Sequence, residues 1–268
     1  MKVKFKSIAE MIADTPNSFK NRKATENDLI LLEQWIICLS KFLQRSGSDK
    51  VESDSLEKKL GIGLPTEIRL LYEKNGSSIS DLAIESLRVH KFQLLSIENF
   101  WVEKDVIVMD YYTDVPLFKT DILVYAAAKN SKKPAHGIDL KNGWGLSFGK
   151  DWFWQKDDMP LFMKLTSLFT NVIIANKRNI VKTKIKGITG IKRDEKAEKR
   201  FQDILTRLPG FEYYEHTIFY NHALDLVGWF RSGNTPDLLV GSNMKSNLDN
   251  IIVKFDFSSA RFVKSSHE

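Results

Sequence analysis

Four residues near the C-terminal third, Glu212, Glu215, His216 and His222, are of the types that bind metal ions. Imidazole and carboxylate are the usual ligands of zinc, but no HExxH accompanies these residues and their spacing matches no zinc signature. Nucleophilic hydrolysis requires an exposed serine or cysteine beside a base. The chain reads as lacking a GxSxG nucleophile motif, and the single cysteine, Cys38, has no local histidine, so acyl transfer is disfavoured. Cys38 lies in the apolar run LILLEQWIICLSKFL and reads as a packed thiol. Gly61-Ile62-Gly63 is half of a dinucleotide fingerprint, but it follows a helical pattern and runs into Leu64-Pro65. Pro236-Asp237 would open the hairpin of a PD-(D/E)xK nuclease, yet the residues two before Lys245 and Lys254 are Asn243 and Ile252, not acids. His90, His136 and His267 stand alone. The chain therefore reads as not an enzyme, with no catalytic residue, metal or cofactor expected.

Anchors for a protein partner are easier to find. Trp144 and Trp152-Phe153-Trp154 fall in a strand-like region, where Trp152 and Trp154 share one face and Phe153 takes the other. Trp101 follows Glu98 and Phe100. Large aromatic side chains are favoured interface anchors, and Glu98, Glu103, Asp105, Asp110 and Asp114 would supply a local acidic patch beside them.

Composition narrows the class further. The 268 residues are 43% hydrophobic and 11% aromatic, enough for a sizeable core and inconsistent with disorder throughout. One cysteine excludes an internal disulfide and any multi-cysteine cluster, which makes the reducing cytoplasm the expected compartment. The longest apolar run, from Leu29 to Leu43, contains Glu33, Gln34 and Lys41 and is shorter than a membrane span, so no membrane association is expected. The net charge is +6, with its excess in the N-terminal tail and in residues 176–200. A run of this kind reads as a solvated connection, with nucleic-acid association as the alternative.

Periodicity places the elements that must position these residues. Phe5, Ile8, Ala9 and Ile12 suit a short helix, and a long buried helix is expected from Asn27 to Arg45. Leu56 and Leu60 mark a helix that Gly61 ends. A second begins after Pro65, carries Ile68, Leu71 and Tyr72, and stops at Asn75-Gly76. Strands are expected at residues 88–95, 106–112, 122–127, 137–140, 143–148 and 152–155, followed by a helix over 159–176. Beyond the basic run the pattern predicts a helix over 194–208 and strands at 211–220, 237–241 and 251–257. The expected organisation is a tail over 1–26, a main domain over 27–177, a basic linker over 178–193 and a small α+β unit over 194–268.

The helical corner has a counterpart. Leu60-Gly61, Leu64-Pro65, Leu70-Leu71-Tyr72 and Asn75-Gly76 resemble the N-terminal signature of the SUKH superfamily, which includes fungal regulators of cell-wall assembly and bacterial proteins that neutralise polymorphic toxins. That resemblance implies an α+β fold: N-terminal helices on a mainly antiparallel sheet closed by a helix, here with a small C-terminal extension. It also implies a non-catalytic binding protein, most readily an immunity protein whose partner is a toxin domain. A regulatory scaffold of the fungal type is the alternative.

Overall fold

The computed structural model describes residues 24–43, 53–75, 83–84, 92–110, 115–128, 131–149, 153–157, 159–184, 203–211, 216–231, 237–254 and 261–263. They form an α+β protein. Helix α1 (Glu26–Ser40) begins with a capping box. Thr25 Oγ1 accepts from the Asp28 N–H at 3.3 Å, and the Asp28 carboxylate accepts from the Thr25 N–H at 2.9 Å. Its buried stripe, Leu32, Trp35, Ile36 and Leu39, keeps helical spacing. Helices α2 (Ser53–Leu60) and α3 (Thr66–Asn75) meet at the Gly61–Pro65 corner, and Gly61 turns the chain at φ +68°.

Five strands follow: β3 (Trp101–Met109), β4 (Pro116–Ala128), β5 (Pro134–Asp139), β6 (Gly145–Phe148) and β7 (Trp154–Lys156). Each pairs antiparallel with the next, and β7 then pairs with β3 at Val108–Trp154 and Met109–Gln155. The ring is closed. An odd number of strands in a meander leaves the first and last pointing the same way, so this final pairing is parallel. Such a small barrel has room inside only for side chains, and Val108, Ile122, Val124, Leu146 and Trp154 fill it. Leu123, Tyr125 and Ala127, alternating with Ile122 and Val124 along β4, face the helices instead. The far end of β4 carries β2 (Phe92–Leu94), which in turn pairs with β1 (Ala83–Ile84).

Helix α4 (Leu161–Ala175) is buried on nearly every side, including Thr166, Ser167 and Thr170. The two threonines avoid stranded hydroxyls by donating to carbonyls one turn back, Phe162 O and Thr166 O, each at 2.8 Å. One side of α4 meets α1 and α3; another meets a second, wholly antiparallel sheet. That sheet runs in the order β13 (Arg261–Val263), β8 (Asn179–Lys184), β12 (Asp237–Ser242), β11 (Leu226–Arg231), β10 (His216–Asn221) and β9 (Thr206–Arg207). Ile180, Ile218, Val227, Trp229 and Leu239 join the main core, while Val181, Phe219, Phe230, Leu238 and Val240 form a second core with Leu248 and Ile251 of α5 (Lys245–Lys254).

Four expectations are corrected here. The basic linker over 178–193 begins as β8, an inner strand paired on both edges, because Ile180 and Val181 bury one side chain on each face. Its remainder from 185 lies outside the described residues. The C-terminal part does not stand apart: Leu208, Phe211, Ile218 and Trp229 share one core with Leu32 and Trp35, and the Trp35 indole N–H donates to Pro209 O at 2.7 Å. The strand expected over 251–257 is helix through Lys254, since Leu248 and Ile251, three apart, dock on the second sheet. Within 194–208 the described residues, 203–208, contain a turn and the short strand β9 and no helix. The short helix at Phe5–Ile12 lies outside the described residues. No helix among the described residues is long and apolar enough to cross a membrane.

Candidate functional site

The helical corner is held by residues that periodicity did not single out. Glu57, on α2, accepts from the Leu64 N–H and pairs with Arg69 of α3, and the Leu64 amide first and Arg69 second hold its carboxyl below the usual range. Leu64 is buried, and Leu60 packs partly buried against the same core. The Pro65 carbonyl accepts from Ile68 N–H at 3.0 Å, so Pro65 opens α3 without needing a donor. Asn75 is the last residue of α3 and is buried. Its amide donates to Leu71 O at 2.9 Å, and its Oδ1 accepts from Ser40 Oγ, joining the ends of α3 and α1. Gly76 lies outside the described residues.

Glu67, in the first turn of α3, has its carboxyl pushed up by burial and by the negative charge of Asp28. Because the fold raises this pKa, the unfolded chain loses the proton first as pH rises, and folding stability falls above the ordinary glutamate range. Glu67→Gln should therefore raise the urea midpoint at neutral pH, with the gain disappearing once the pH drops below that range. Equal midpoints at neutral pH would contradict it.

The proposed aromatic anchors divide. Trp154, 2% exposed, is the centre of the barrel and no partner anchor, a correction that follows from strand alternation: its neighbour Phe153 faces out at 48% exposure. Trp101 is half-buried against the core, and Trp144 packs edge-on to Phe118 with Lys156 Nζ 3.8 Å above its ring. Trp152 lies outside the described residues, as does Asp114. Glu103 accepts from two indoles, Trp154 Nε1 at 2.7 Å and Trp101 Nε1 at 3.4 Å, so it braces the barrel and is not available to a partner. Asp105 stands in a bulge at φ +57° and pairs with Lys119 at 3.1 Å, Glu98 is exposed, and Asp110 is half-buried. Exposed apolar surface gathers instead where β3 meets β7. Val108 and Trp154 are paired and point inward, and one position earlier on each strand Ile107 (54% exposed) and Phe153 stand outward.

Chemistry-bearing residues also meet in two places, and the first corrects the expectation that the chain lacks GxSxG. The first is carried by Gly145-Leu146-Ser147-Phe148-Gly149, a GxSxG pattern whose serine sits in β6, not at a strand-to-helix elbow. Ser147 Oγ lies 3.2 Å from His136 Nδ1, 2.9 and 3.0 Å from the Asp157 carboxylate oxygens, and 3.3 Å from Lys164 Nζ. Lys164 and Asp157 also pair directly at 3.1 Å and are each 17% exposed. The pattern in the sequence was the available signal for Ser147. Nothing local signalled its partners, which come from β5, from the residue after β7 and from α4.

The second place is Cys38, half-buried with Sγ 3.5 Å from His222 Nε2. Burial pushes the thiol up, against weaker opposing effects of the Tyr220 hydroxyl and Lys41, and burial pushes the imidazole down. Cys38 also lies near the negative C-terminal end of α1, so both groups rest neutral and the thiolate is disfavoured. Among the described residues no three His, Cys, Asp or Glu side chains are grouped to hold a metal ion. His216 begins β10 and His222 follows its end; Glu212, Glu215 and Pro236 lie outside the described residues.

An α+β protein with a closed barrel, a helical corner and a central helix shared by two sheets is the class that the fold defines. Compared with known proteins, the chain matches no protein family, no curated protein and no solved structure.

Proposed function

We propose that this chain works by binding another protein, as immunity proteins of the SUKH superfamily bind toxin domains. The observation that carries the reading is the corner between α2 and α3. The resembling residues Leu60-Gly61, Leu64-Pro65 and Asn75 are the ones that turn, bury and tie it, and mainly antiparallel strands and a helix follow them. The binding face is the outer side of β3 and β7 around Ile107 and Phe153, with Lys119 opposite Ile107 on β4 and Asp105 paired to it as a charged rim.

Co-expression with a toxin encoded by a neighbouring gene tests the reading directly, and protection of the host is the expected result. Phe153→Ala should weaken the purified complex by about 2 kcal/mol while leaving the unfolding midpoint nearly in place, because Phe153 is 48% exposed and belongs to none of the buried clusters. Full protection by a Phe153→Ala, Ile107→Asp double variant would rule out this face. No protection by the parent chain would rule out the function.

A further inference from the structure

We infer that Ser147 is the nucleophile of an acyl-transfer site at the junction of the barrel and α4, acting on carboxylic esters. This inference does not depend on the binding reading and runs against the expectation of a chain without catalysis.

Geometry comes first. Ser147 is directly opposite His136 on β5 and Gln155 on β7, so His136 and Ser147 stand side by side on the outer barrel face. The imidazole is held edge-on by Phe92, ring centroids 4.7 Å apart, and flanked by Tyr125 at 6.4 Å. Helix α4 begins over the same strand, where a Cβ on Gly145 would stand 3.9 Å from Leu161 Cα. Its N-cap residue, Pro160, contributes no side-chain hydrogen bond to the first-turn amides, and the next side chain toward the cluster is Lys164. A nucleophile, a base within hydrogen-bond reach and a cation beside the attacking oxygen therefore meet in one half-buried place, the combination that acyl transfer requires.

Each group has one task. At rest the Ser147 hydroxyl donates to Asp157 and accepts from Lys164; rotation about one bond turns its hydrogen to His136 Nδ1. Oγ attacks the ester carbonyl carbon, its proton passes to His136, and the carbonyl electron pair moves onto the oxygen beside the Lys164 ammonium. The C–O bond to the alcohol breaks, and the departing alkoxide takes the proton from His136. Water then adds to the acyl-serine, again giving a proton to His136, and collapse returns the proton to Ser147 and frees the acid. Asp157 touches no substrate. It is a positioning residue, keeping Lys164 in place at 3.1 Å.

The test uses the full chain and a serine-directed fluorophosphonate probe, with the labelled residue mapped by mass spectrometry. Labelling should fall on Ser147, and p-nitrophenyl acetate should be hydrolysed with a burst of one acetyl group per chain. His136→Asn should slow both reactions by about 100-fold. Mapping on the parent chain needs no variant, so poor folding of Ser147→Ala would not decide the outcome. A label distributed over other serines, or equal rates in parent and His136→Asn, would overturn the assignment.

Discussion

Asp225→Asn is expected to lower the free energy of unfolding by about 3 kcal/mol, measured by urea denaturation at neutral pH. Asp225 sits at φ +48° in the β10–β11 turn, a conformation asparagine also tolerates, so backbone strain does not enter. What changes is the partner of Lys177. That ammonium is 2% exposed, donates to Asp225 Oδ1 and to Phe42 O at 3.2 Å, and lies 5.2 Å from the centre of the Phe42 ring. The other Asp225 oxygen accepts from Asn243 N–H at 2.8 Å, so one ion pair ties the end of α1, the end of α4 and two turns of the second sheet. Removing the carboxylate charge leaves a 2% exposed ammonium without its ion-pair partner. Lys177→Met leaves instead a carboxylate that is 27% exposed and can rehydrate, and should cost only about 1 kcal/mol. Equal losses from both variants would show that Lys177 reaches solvent when released.

Gly137→Ala should cost about 3 kcal/mol by the same measurement, the upper part of the range for overpacked cores. A Cβ there would stand 2.5 Å from Ile122 Cγ2, 2.9 Å from the Trp154 ring and 3.1 Å from the backbone oxygen of Leu123. In an open sheet the strands would spread. Here β5 is one wall of a closed ring, so relief has to come from side chains already packed inside. The two substitutions Gly137→Ala and Ile122→Ala together should therefore cost at least about 1 kcal/mol less than the sum of the single losses. Strict additivity would mean that the ring opens when strained, and the closure at Val108–Trp154 would then be the seam to examine.

Local chemistry was legible wherever a residue's neighbours in sequence decide its conformation. The apolar spacing of α1 and α4, Gly61 before Pro65, and the β-branched run of β4 each follow from interactions within a few residues, and the α+β class follows from their order. Alternation also separated Phe153 from Trp154, but it could not say which of the two faced inward. That depended on β7 closing against β3, a pairing across more than forty residues that no local pattern records. The lysines of β8 hid a strand, because pairing on both edges and burial of Ile180 and Val181 outweigh the charge of the run. The alternation from Ile251 to Phe257 suggested a strand, and docking of Leu248 and Ile251 on the second sheet makes its first residues helix. GxSxG was present to be read, yet its meaning lay in His136, Asp157 and Lys164. Hydrogen bonds act over about 3 Å, and only the folded barrel and α4 bring groups from three separate elements within that distance of one hydroxyl.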